Sequence, residues 1–153
     1  MLAPGAAFPD ATLPDPEGAS HRLSQAWSRG AALLVVGHAD CGTTRLALPG
    51  LERLHTRGGN VAAILQDDAE TSRALASELG LTLPIRLELD PYPLSAALGV
   101  EVVPSYYLVG RDGAVVRTAH GFSREDLDAF ASALGIGGPL FAVDEPGPRY
   151  RPG

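Results

Sequence analysis

The residue with the clearest chemical potential is Cys41, the only cysteine in the chain. It follows the apolar run "ALLVV" and precedes leucines at mostly helical spacing, so we expect it at a strand-to-helix turn. Free amides and the dipole at a helix N-terminus stabilise an anion, and they lower the pKa of a cysteine placed there. A thiolate at Cys41 could attack a disulfide, and the resulting mixed disulfide would need a second thiol from outside the chain to release the partner.

Two neighbours of Cys41 are expected to shift its thiol pKa in opposite directions. Thr44 lies one helical turn along and could donate a hydroxyl hydrogen bond to the thiolate, or it could instead bond to the backbone. Asp40 precedes the cysteine, and its negative charge would raise the thiol pKa. Gly42 and Thr43 complete the flank of the candidate site. The alternative interpretation is that Cys41 is a small buried apolar residue without redox chemistry.

Composition limits the function classes. The chain has 153 residues, 45% of them apolar and 20% charged, which suits one folded domain. A net charge of -6 argues against general binding to nucleic acids or anionic membranes. No apolar run reaches the ~20 residues of a membrane span, and the N-terminal segment lacks the pattern of a signal peptide, so we expect a cytoplasmic location. The four histidines form no metal-binding pattern, and neither a metal nor a cofactor is expected.

Hydrophobic patterns predict alternating strands and helices. The turn signal "PDPEG" indicates a short N-terminal hairpin, and Ser24 is expected to cap a helical turn after it. Asp67 and Asp68 are expected to stabilise the start of a helix by their charge. We predict strands at 31–38, 60–66 and 85–90, a hairpin at 105–121, and helices at 42–57, 68–80, 93–100 and 123–135. This order predicts an α/β domain over residues 1–135, with a largely parallel sheet and an antiparallel edge, followed by a Pro/Gly-rich tail at 136–153 laid over the surface.

Several segments resemble a known group of proteins. "PGAAFPDATLPDPEG", "DCGTTRLALP" and "GVEVVPSYYLVGRDGAVV" are similar to motifs of the thioredoxin-like superfamily, in the branch of TlpA-type thiol–disulfide oxidoreductases and AhpC/TSA-type peroxiredoxins. The resemblance implies a mixed central sheet flanked by helices, with an N-terminal β-hairpin and an extra α-β insertion at 67–90. It also implies a cis peptide bond before Pro104 and a Val103 backbone edge, beside Cys41, that binds an extended substrate segment.

The chain departs from these motifs where activity would reside. Thr44 replaces the second cysteine, Asp40 replaces an aromatic residue, and Val35 replaces a buried acid. The order of threonine and cysteine is the reverse of that in peroxiredoxins, and Pro104 lies where their arginine is expected. We therefore expect a TlpA-type oxidoreductase with Cys41 as its single nucleophile, acting on a protein or low-molecular-weight thiol or disulfide. The alternatives are a redox-silent module that binds a partner through the Val103–Pro104 edge, and a one-cysteine peroxidase.

Overall fold

Strands and helices alternate through most of the chain in the computed structural model, which describes residues 1–153. The predicted elements are all present, although several strands and helices are shorter by one to three residues. In chain order the elements are β1 (Thr12–Pro14), β2 (Ser20–Arg22), α1 (Ser24–Trp27), β3 (Ala32–Gly37), α2 (Gly42–Thr56), β4 (Val61–Leu65), α3 (Ala69–Leu79), β5 (Ile85–Leu87), α4 (Pro93–Leu98), β6 (Ser105–Val109), β7 (Val115–His120), β8 (Phe122–Ser123), α5 (Arg124–Ala133) and β9 (Tyr150–Arg151).

The central sheet has five strands in the order β5-β4-β3-β6-β7. β3, β4 and β5 run parallel, whereas β6 is antiparallel to β3 and β7 is antiparallel to β6. All six residues of β3 are buried, as its continuous apolar sequence predicts for a central strand. The mixed sheet and the N-terminal hairpin of β1 and β2 confirm the predicted fold class.

Each face of the sheet is covered by helices. Leu33 and Val35 point into a cluster of 21 buried residues that includes side chains of α2, α3 and α5. Leu34 and Val36 point into a second cluster of 13 buried residues, which includes side chains of α1 and α4. This alternation follows from the two-residue period of a strand. α2 lies on the first face and carries Cys41 at its N-terminal end.

Most of the predicted helix ends are confirmed. Asp68 caps α3 by accepting a hydrogen bond from the Thr71 amide, and Gly80 ends that helix in the left-handed conformation. Ser123 caps α5 in the same way. The expected role of Ser24 is wrong, because Leu23 is the N-cap of α1 and the Ser24 amide donates to Asp10. No helix is both long enough and apolar enough to cross a membrane.

Residues 136–153 are attached to the folded domain at several points. Leu140 is buried in the core, and the ring of Phe141 packs edge-on against Phe122. The guanidinium of Arg124, which is buried, donates to the backbone carbonyls of Glu145, Pro146 and Gly147. The segment then forms β9, which pairs with β8. The separation into a domain and a tail at residue 135 stays a prediction.

Candidate functional site

Cys41 lies at the turn between β3 and α2, where the sequence placed it. Its amide donates to the carbonyl of His38 at 3.0 Å, which closes the turn. Cys41 is the N-cap of α2, and its Sγ accepts a hydrogen bond from the Thr44 amide at 3.5 Å. The side chain is partly exposed. A cap position directs one of the free amides of the helix at the sulfur.

Three side chains fix the turn that carries Cys41. Asp67, at the end of β4, accepts from the Ala39 amide at 2.9 Å. Arg45 donates to the Ala39 carbonyl at 2.7 Å, and Nδ1 of His38 accepts from the Asp40 amide at 3.1 Å. The expectation that Asp67 stabilises the start of α3 is wrong, because its carboxylate is committed to this turn. The signal for its position was its place after a parallel strand, since the carboxyl ends of neighbouring parallel strands lie together.

The loop before β6 brings Val103 next to Cys41. The thiol of Cys41 lies 3.4 Å from the Val103 carbonyl oxygen and donates to it when protonated. The peptide bond from Val103 to Pro104 is cis, and Pro104 is buried. The Val103 amide makes no hydrogen bond within the chain. The structure therefore places the backbone of Val103, whose amide is free, in contact with the thiol across 62 residues of sequence.

Thr44 lies directly beneath the cysteine and is only 1% exposed. Its Oγ1 accepts from the His38 amide at 3.4 Å, which leaves its hydroxyl proton available to a second partner. A Cβ on Gly37 would lie 2.7 Å from Cγ2 of Thr44, so the methyl group sits tightly against β3. Two roles were expected for the Thr44 hydroxyl: a bond to the backbone or a bond to the Cys41 thiolate. The structure shows the bond to the backbone, and the hydroxyl proton remains free to be donated to the sulfur.

The electrostatics of the site favour the thiolate. Burial raises the pKa of Cys41, but hydrogen bonding from Thr44, above all from its amide, and from Thr43 outweighs burial, so the pKa lies below its ordinary value. The contact with the Val103 carbonyl opposes this shift, because only the protonated thiol can donate to it. Asp40 and Gly42 are exposed. At Asp40 solvent therefore screens the charge that was expected to raise the thiol pKa.

Comparison with known protein families assigns the chain to one of them. The model of the AhpC/TSA family matches residues 4–118. The chain belongs to the AhpC/TSA family. No curated protein sequence matches it.

Solved structures with the same fold as this AhpC/TSA family member include disulfide oxidoreductases and a peroxidoxin. The thioredoxin domain of a Bacteroides vulgatus thiol–disulfide oxidoreductase is 20% identical, with a TM-score of 0.76 over 87% of this chain and 98% of that one. A secreted disulfide oxidoreductase of Mycobacterium tuberculosis is 17% identical, with a TM-score of 0.71 over 82% and 96%. The peroxidoxin BcpB of M. tuberculosis is 18% identical, with a TM-score of 0.71 over 88% and 94%. These likenesses establish the thioredoxin-like fold.

A buried tyrosine, Tyr106, lies on β6 next to the central strand β3 that leads to Cys41, and no pattern in the sequence indicates its buried hydroxyl. Tyr106 is 2% exposed, and its hydroxyl has no hydrogen-bond partner. Burial raises the pKa of Tyr106 far above its ordinary value, and the charges of Asp126 and Cys41 raise it further. Tyr106 pairs with Val35 across the two central strands. Val35 is itself buried, so this pair in the two central strands places a neutral hydroxyl and an apolar side chain in the core.

Ionisable side chains do not converge elsewhere as a metal site. No group of three or more His, Cys, Asp or Glu side chains in residues 1–153 is arranged to hold a metal ion. Nδ1 of His38 lies 3.8 Å from Oδ1 of Asp67.

Proposed function

We propose that the protein is a thiol–disulfide oxidoreductase of TlpA type that uses Cys41 as its single nucleophile. The observation that carries the proposal is the position of the sulfur: it is partly exposed, caps α2, and accepts from the Thr44 amide. These contacts hold the pKa of the thiol below its ordinary value, and the thiolate is the reactive form. The substrate is a protein or low-molecular-weight disulfide.

The reaction needs two exchanges. In the first, the Cys41 thiolate attacks one sulfur of the substrate disulfide, forms a new S–S bond to it, and expels the other sulfur as a thiolate. In the second, an external thiolate attacks the substrate sulfur of the mixed disulfide, forms a new S–S bond to it, and expels Cys41 as a thiolate. The hydrogen bond from the Thr44 amide stabilises the Cys41 thiolate before the first step and after the second. A reducing compartment such as the cytoplasm would supply the external thiol.

Thr44→Cys tests the proposal directly. Residues three apart at the start of a helix lie within the reach of a disulfide. The variant should therefore form an intramolecular disulfide and catalyse reduction of insulin by a dithiol, measured as turbidity. The parent should accumulate mixed disulfides with the substrate, visible by mass spectrometry, and Cys41→Ser should do neither. A Thr44→Cys variant that forms its disulfide but stays at the Cys41→Ser rate, with insulin and with a small aromatic disulfide alike, would contradict the proposal.

A redox-silent binding module is the second candidate. The hydrogen bond from the thiol to the Val103 carbonyl favours it, because that contact stabilises the protonated form. The two candidates differ in the pH dependence of alkylation by iodoacetamide. A midpoint at or above about 8.5, the value for an unperturbed thiol, would favour the binding module. A rate with hydrogen peroxide far above that of a free thiol would indicate a one-cysteine peroxidase instead.

A further inference from the structure

The last four residues, Tyr150–Gly153, here called the strap, lie across the candidate site. Tyr150 and Arg151 pair with Ser123 and Phe122 as the strands β9 and β8. The Pro152 carbonyl accepts from the Thr43 hydroxyl at 2.8 Å. The strap is therefore bound to the first turn of α2, two residues after the cysteine.

The strap contacts both backbone segments that flank the sulfur. On one side, the guanidinium of Arg151 lies 3.1 Å from the point that a Cβ on Gly42 would take. On the other side, a Cβ on Gly153 would lie 2.7 Å from the Val103 carbonyl oxygen and 3.3 Å from Cβ of Val102. The same Val103 oxygen is the acceptor of the Cys41 thiol. The strap thus spans from the residue after Cys41 to the loop that faces it.

We propose that the strap is a removable cover that restricts Cys41 to small disulfides and must leave before an extended protein segment can bind at Val103. This inference rests on the proposed function, since it concerns access to the same sulfur. An extended segment that brought a disulfide to Cys41 would meet the free amide of Val103, and Gly153 lies against that residue. A small disulfide needs only the exposed part of the sulfur.

The strap is attached weakly enough to open. All four strap residues are exposed, and a two-residue ladder with one hydroxyl hydrogen bond holds them. Segments with few buried contacts open at low free-energy cost. The preceding residues are held more firmly, because the Arg124 guanidinium binds the carbonyls of Glu145, Pro146 and Gly147. An opened strap would therefore stay near the site and close again.

Gly153→Ala in the full chain tests the cover from the strap side. The added Cβ would collide with the Val103 carbonyl, so the strap must move away. Gly137→Ala is the matched control, because it lies in the same tail and its Cβ would meet no atom within 4 Å. Two probes with one leaving group are compared: the small symmetrical disulfide of nitrothiobenzoate, and a linear peptide whose central cysteine carries that group. In each reaction the Cys41 thiolate attacks the sulfur bonded to nitrothiobenzoate, forms a disulfide with it, and releases coloured nitrothiobenzoate.

The measured quantity is the rate with the peptide divided by the rate with the small probe. When the strap moves, the hydrogen bond from Thr43 to Pro152 is lost. Loss of one net hydrogen bond changes the ratio of closed to open strap about fivefold. We therefore expect Gly153→Ala to raise this quotient by about fivefold and Gly137→Ala to leave it unchanged. An unchanged quotient in Gly153→Ala, or an equal rise in the control, would overturn the cover.

A separate measurement keeps the proposal testable if Cys41 reacts with neither probe, a result that would refute the proposed function alone. Backbone NMR order parameters of the parent should show the Tyr150 and Arg151 amides near the values of rigid backbone, and those of Gly153→Ala should fall. Parent values below about 0.6, typical of a flexible segment, would show a free tail and overturn the cover.

Discussion

Thr44→Val removes one hydroxyl from beneath the sulfur and keeps the shape of the side chain. Two effects follow. The His38 amide loses its acceptor at Oγ1, and Cys41 loses a hydroxyl that helps to lower its pKa. A hydrogen bond to a charged group contributes about 1.5–3 kcal/mol, and each 1.4 kcal/mol changes a protonation equilibrium tenfold. Because Sγ keeps the Thr44 amide as a donor, we expect the lower end of this range and a roughly tenfold slower alkylation at neutral pH.

The assay is the rate of alkylation by iodoacetamide as a function of pH, with Thr44→Ser as the matched control. Serine keeps the hydroxyl but loses the methyl group that packs against Gly37. The parent midpoint should lie below about 8.5, the Thr44→Val midpoint should lie above that of the parent, and Thr44→Ser should resemble the parent. At high pH all three should react at similar rates, because each thiol is then ionised. Equal midpoints for Thr44→Val and the parent would refute the role assigned to this hydroxyl.

Three substitutions test the packing around the site through urea or thermal unfolding. Tyr106→Phe deletes a buried hydroxyl without a partner, so stability should stay equal or rise by up to about 1 kcal/mol; a clear loss would contradict this. Glu52→Gln should destabilise by about 1 kcal/mol at pH 7, because the carboxylate accepts from the amide and hydroxyl of Thr82. Burial raises the pKa of Glu52, but these hydrogen bonds outweigh it and lower the pKa. The carboxylate therefore stabilises the fold above its unfolded pKa of about 4.3, and the difference between variant and parent should vanish as pH falls through the lower folded value. Gly50→Ala would place a Cβ 2.7 Å from the Phe141 ring, so we expect a loss of about 1–3 kcal/mol, whereas a gain would show that the ring moves freely.

Local signals in the sequence sufficed for the elements that position Cys41. The run of apolar, partly β-branched residues in β3 predicts a buried strand, and the leucines that recur at helical spacing after Cys41 predict a helix that begins there. Gly80 and Gly99 end helices in the left-handed conformation, and Ser123 caps one, for reasons that act within four residues of the chain. Helix ends of this kind can be predicted because capping and left-handed backbone depend on neighbours in sequence.

The features that the sequence did not reveal depend on contacts between distant segments. Asp67 stands where an N-terminal charge is expected, but the parallel pairing of β3 with β4 turns it toward Ala39 instead. The hydroxyl of Tyr106 is buried without a partner by tertiary packing, which the residue pattern of β6 does not specify. The contact of Pro152 with Thr43 crosses 109 residues, and no local pattern in a Pro/Gly-rich segment indicates it.

The environment of Thr44 determines what a single cysteine can achieve in this fold. The Thr44 side chain is buried, and its hydroxyl accepts a hydrogen bond from the His38 amide. Thr44 therefore stabilises the turn before α2 as well as the sulfur of Cys41. A thiol is a weaker acceptor than a hydroxyl, and a second cysteine here would support that amide less well. With threonine in place, no group inside the chain can attack a mixed disulfide at Cys41. The lifetime of that intermediate therefore depends on an external thiol, and on whether the strap leaves room for the thiol to reach the sulfur.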